Sequence, residues 1–137
     1  MISQLTHLNW FSVLCAFIPY FILGGLWFTV FFGNPYKTSL GKGNETLPNS
    51  PIFIAGPAIC CLIITITTAM LIYALNVNTL SGALEFAMVA GIGYLVTNTV
   101  NIAINPNIPR PIFYSVISGT YHLVGITIVC IIIVAMK

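Results

Sequence analysis

A histidine set in an otherwise apolar stretch is the first residue here that could do chemistry. His122 stands between Tyr121 and Leu123 in a run from Ile112 to Met136 that carries no charged side chain. An imidazole titrates near neutrality, so it can accept a proton, ligate, or stay neutral and hydrogen-bond across a helix interface. At helical spacing Ser115, Ser118, His122 and Gly125 share one face, with Tyr121 beside them. In the preceding apolar run Ala87, Gly91, Tyr94, Asn98, Asn101 and Asn105 recur at alternating steps of four and three, which places all six on one face. That face is small at one end, where Ala83 extends it, and amide-lined at the other.

Two uses compete for these stripes. One is helix packing, in which small residues allow close approach and each asparagine bond across helices contributes about 1 kcal/mol. The other is a polar cavity or pathway between the third and fourth helices. Packing is the commoner use and the preferred reading. For His122 it means a neutral imidazole bonded to an Asn or Ser of the facing stripe.

The remaining chemistry-bearing residues are few. Glu85 is the only acid inside an apolar run, near the start of its helix and about 160° around the axis from Asn101. Arg110 is a candidate for a lipid headgroup phosphate, or it snorkels to the interface. Cys15, Cys60, Cys61 and Cys130 lie in apolar runs without CxxC spacing, as buried free thiols do. No catalytic triad, paired carboxylates, phosphate-cradling loop or zinc-protease motif is present, so no catalytic residue, metal or cofactor is assigned.

Composition dictates the scaffold on which these residues sit. Only 4% of the chain is charged and 58% is hydrophobic, with a mean hydropathy of +1.03, which excludes a water-soluble globule. Four membrane spans of about 20 residues need about 80 apolar positions. The 137 residues at 58% supply that number. The spans are expected at about 8–32, 52–76, 80–105 and 112–136. Short connections make neighbouring spans antiparallel, giving an all-α membrane protein: a single domain of four transmembrane helices in an antiparallel up-down bundle.

Pro19 and the Gly24-Gly25 pair predict a bend in the first helix. Residues 33–51 read as the one substantial polar loop, and Asn44-Glu45-Thr46 within it fits a glycosylation sequon. Asn78, Thr79 and Ser81 offer caps for the third helix, and Thr65 and Thr68 can bond their own backbone. Trp10, Trp27 and Tyr36 fit interfacial belts. Lys37, Lys42 and Arg110 on one side against Lys137 on the other favour termini outside. A net charge of +2 is too small and scattered for a nucleic-acid partner.

Leu8-Asn9-Trp10, Gly24-Gly25-Leu26-Trp27, Phe31-Phe32-Gly33-Asn34-Pro35-Tyr36-Lys37 and Leu40-Gly41 together resemble the opening of the domain of unknown function 1761 family. The resemblance implies a small bacterial integral membrane protein with four helices and transfers no activity. Phe28-Thr29-Val30 and Tyr36 depart from the family's pattern. Taken together, these features read as a non-enzymatic protein of the bacterial inner membrane. Its partners are the lipid bilayer and either further copies of itself, as a homo-oligomer, or other membrane protein subunits in an accessory role. The alternatives are a small permease or channel and a lipid- or quinone-binding protein.

Overall fold

The structure is a computed structural model that describes residues 2–43, 45 and 50–137. Among these residues the only regular structure is helical, with four helices long and apolar enough to cross a membrane: Trp10–Phe31, Ile52–Ala74, Leu80–Ala103 and Pro111–Ala135. A short 3-10 turn, Ile2–Thr6, precedes the first. The sequon residues Asn44 and Thr46 lie outside the described residues.

Helix α1 (Trp10–Leu26) starts where Asn9 Oδ1 accepts the N–H groups of Phe11 and Ser12, satisfying two of the unpaired donors of its first turn. It continues through Pro19 and widens into a π-helical turn, Trp27–Phe31, closed by the Phe32 N–H on the Trp27 carbonyl. What the composition reads as loop then forms a two-turn helix, α2 (Gly33–Ser39). Its end is a Schellman motif: Gly41, at φ 73°, lets its own N–H reach the Thr38 carbonyl and the Lys42 N–H reach Lys37. Pro109 packs on Gly41 and joins this turn to the one before the fourth span.

Helix α3 (Ile52–Ala74) follows Pro51, and Thr79 caps α4 (Leu80–Ala90) by accepting the Gly82 N–H at 3.1 Å. A second π-helical turn, Gly91–Val96, leads into α5 (Thr97–Ala103), so that α4, this turn and α5 make the third span. The Thr97 hydroxyl donates to the Ile92 carbonyl at 2.7 Å within the widened turn. Helix α6 (Pro111–Ala135) has proline in its first turn, where no N–H partner is lost.

The fourth span is the centre of the molecule. Half of its apolar window is buried (50%), against 17 to 22% in the others, and it packs on α1, α2, α3 and the whole third span. Helices α1 and α3 also pack on each other, whereas among the described residues the third span leans on α6 alone apart from marginal contacts. Hydrogen bonds from Asn9 Nδ2 to the Met136 carbonyl (2.8 Å) and from Trp27 Nε1 to the Ile117 carbonyl (3.0 Å) run α1 and α6 in opposite directions. The Trp27 indole is thus turned into the protein and held there, not only placed at an interface. At the other end Lys137 Nζ donates to Asn78 Oδ1 at 2.6 Å and lies over the Tyr73 ring.

Candidate functional site

Two tyrosine-glycine steps of equal length build the middle of the molecule. Tyr20 and Gly24 are four apart on α1, as are Tyr121 and Gly125 on α6. Because the helices run in opposite directions, each tyrosine lies over the other helix's glycine. A Cβ on Gly24 would stand 2.8 Å from the Tyr121 hydroxyl, and one on Gly125 would collide with Cε2 and Cδ2 of Tyr20. The two rings meet with centroids 5.5 Å apart. Neither ring could sit there if its glycine carried a side chain.

This packing fixes a polar cluster at mid-depth. Tyr20, Tyr121, His122 and Cys61 each lie within two or so residues of the midpoint of their span, about 3 Å or less along the axis. The Tyr20 hydroxyl and His122 Nδ1 are 3.0 Å apart. With the ring proton on Nε2, the phenol donates to Nδ1. The Tyr121 hydroxyl and Cys61 Sγ are 3.3 Å apart, and the Tyr121 and His122 rings are 4.8 Å apart between centroids. Tyr20 is fully buried, at 0% exposure, so its hydroxyl needs this partner. Ser118, one turn before His122, has a buried Oγ with no hydrogen-bond partner among the described residues. The arrangement holds the phenol proton in a hydrogen bond between two neutral groups. No group of three or more His, Cys, Asp or Glu that could hold a metal occurs among the described residues.

Aromatic rings continue from this cluster toward α2. Phe28 meets Tyr121 edge-on at 5.1 Å and Tyr36 at 4.8 Å, and Tyr36 meets Tyr114 at 5.8 Å. Burial, with the Tyr114 hydroxyl beside it, pushes the Tyr36 hydroxyl up to about 12.

The expected stripe on the third span divides. Ala83, Ala87 and Gly91 are buried, with a Cβ on Gly91 meeting Leu123 at 2.8 Å. Tyr94, Asn98 and Asn101 are exposed on the outer surface, Tyr94 by 77%. The cause is the π-helical turn: with more residues per turn than an α-helix in Gly91–Val96, it re-phases the remainder of the span. Thr99 and Ala103 therefore continue the buried face, four and eight residues after Leu95. Asn105 is half-buried and locally used: its Nδ2 donates to the Ile102 carbonyl and its Oδ1 accepts the Asn107 N–H.

The structure therefore brings His122 to Tyr20 of the first span and not to the amides of the third. Ser115 is half-buried beside the third span, and Glu85 and Arg110 are exposed. Cysteines 61 and 130 are buried and Cys15 partly so, but Cys60 is exposed, since adjacent residues lie about 100° apart and only Cys61 can face α6. Tyr20 carries no local signal as a site residue, since its partner is 102 positions away. The repeated Tyr-x-x-x-Gly step was the legible clue.

No curated protein and no solved structure matches the chain. A family model described as a protein of unknown function, DUF1761, matches residues 11–134, which is nearly the whole of it. With that match and its four apolar helices, the chain belongs to the DUF1761 family.

Proposed function

We propose that this is a non-enzymatic integral membrane protein that works as a homo-oligomer, associating through the outer face of its third span. The observation that carries the reading is the exposure of Tyr94, Asn98 and Asn101 on a span that, among the described residues and apart from marginal contacts, packs on α6 alone. Asn98 lies about 8 Å and Tyr94 about 14 Å inside the end of that span. An amide or hydroxyl left without a partner in hydrocarbon costs about 2–7 kcal/mol. Copies inserted in one orientation are related by an axis along the membrane normal, so each residue meets its own counterpart. An asparagine can pair with itself, because its amide both donates and accepts. The excess of Lys37, Lys42 and Arg110 over Lys137 supports an orientation with their end of the protein in the cytoplasm and the termini outside, in a bacterial inner membrane.

The test is the molar mass of the protein after gentle extraction, repeated on Asn98→Leu with Asn101→Leu. Two amide pairs at about 1 kcal/mol each correspond to about thirtyfold weaker self-association in the double variant. A monomer in native-like bilayers, or unchanged association in the variant, refutes the reading. A complex containing other membrane proteins would make the chain their accessory subunit.

A second reading, a small permease, draws on the Tyr20–His122 pair at mid-depth, where an ionisable side chain is a functional candidate by default. It requires flux in liposomes that is lost in His122→Ala.

A further inference from the structure

A groove of about 570 Å³ opens on the outer surface between the third and fourth spans. Its walls are Ile92, Val96 and Val100 on one side and Ile112, Val116 and Thr120 on the other, with Gly119 in the floor. Nothing among the described residues covers it: Ile112 is 80% and Val116 60% exposed. A second hollow continues it at the loop end, sharing Pro111, Ile112 and Val116 and adding Arg110.

We propose that this continuous surface binds a phospholipid with an anionic headgroup, one acyl chain lying in the groove and the phosphate held by Arg110. Length selects the occupant. The groove ends at Ile92 and Leu123, which are the midpoints of Leu80–Ala103 and Pro111–Ala135. From Leu123 to Pro111 it extends about 18 Å. One leaflet of hydrocarbon is about 15 Å thick. A partner helix crossing the bilayer needs a groove twice as long, whereas a chain anchored at the loop end needs this one. Charge selects the headgroup. A guanidinium can bond a phosphate through two parallel N–H groups, and a lipid without its own cation leaves that pairing uncontested. Asn98 is two residues from Val100, about 160° around the axis, so the groove and that amide face different ways.

The experiment is native mass spectrometry of the full-length protein released from detergent with phosphatidylglycerol or phosphatidylcholine of identical chains. Phosphatidylglycerol is expected to be retained about fivefold more strongly, the effect of one basic residue beside an anionic lipid. Arg110→Gln should erase that preference and Arg110→Lys should keep most of it. Val100→Phe with Val116→Phe, which fill the groove, should lower retention of both lipids. Helix content by circular dichroism identifies any variant that fails to fold, and the wild-type comparison decides without it. Equal retention of the two lipids by the wild type overturns the proposal, as does a preference that survives Arg110→Gln. Unchanged retention in a folded groove-filled variant overturns it too.

Discussion

Adding one methyl group at Gly125 should cost far more than adding one at Gly93, although both glycines lie inside apolar helices. At Gly93 the new Cβ meets nothing within 4 Å. At Gly125 it lands on the Tyr20 ring. That ring cannot move aside cheaply, since it is fully buried, packed at a tilt against Tyr121 and bonded to His122. Forcing extra volume into a packed core costs about 1–3 kcal/mol. Displacing Tyr20 also breaks its bond to His122, a further 0.5–1.5 kcal/mol or so. Alanine recovers at most about 1 kcal/mol of helix propensity. The expected net loss for Gly125→Ala is therefore about 2 kcal/mol, against a neutral or slightly stabilising effect for Gly93→Ala. The assay is unfolding in mixed micelles by titration with a denaturing detergent, followed by circular dichroism. A double variant, Gly125→Ala with Tyr20→Leu, makes the argument specific, because removing the ring relieves the collision and the two costs should fall short of adding. Equal midpoints for Gly125→Ala and Gly93→Ala would refute the reciprocal seating of tyrosine on glycine.

Other outcomes rest on the same geometry. Tyr20→Phe keeps the ring over Gly125 but removes the hydroxyl facing His122, and should cost about 1 kcal/mol, clearly less than Gly125→Ala, in the same titration. Asn9→Ala removes both the α1 cap and the bond to the Met136 carbonyl, and should lower stability by about 1–2 kcal/mol while speeding amide exchange at the start of α1; unchanged exchange there would count against the cap. The Tyr36 hydroxyl should ionise near 12 in the folded protein, seen as the phenolate absorbance missing from Tyr36→Phe. Its folded value is raised above the ordinary 10, so its contribution to α2 docking is full below pH 10 and is lost as pH rises to about 12. A Tyr36-dependent absorbance step centred at 10 would mean that α2 does not pack as described.

Four apolar spans were legible because length and hydropathy are local properties, and so was the Thr79 cap. The faces of the third helix were legible only up to Gly91. Counting at α-helical pitch carries Tyr94, Asn98 and Asn101 along with Ala87, and the wider π-helical turn breaks that count. Small residues at strict steps of four, Ala83, Ala87 and Gly91, then Thr99 and Ala103, were the available sign of a helix wound more loosely than 3.6 residues per turn. Helix α2 was hidden because Gly, Asn, Pro and Ser read as turn chemistry; its order comes from Tyr36 packing on Phe28 and Tyr114, of which Tyr114 is distant in sequence. The mid-depth cluster was hidden for the same reason: His122 drew notice by its type, but its partner is set by which helices meet.

The central place of α6 also bears on biogenesis. Chains are made from the N-terminus, so the helix on which the others pack leaves the ribosome after them. Until it arrives, α1 and α3 have each other, but the third span has almost nothing to lie against. An insertion intermediate with three spans would therefore present both the small-residue face and the amide face of that helix to lipid. In the cell, that is the stage at which insertion factors or membrane proteases would meet this protein.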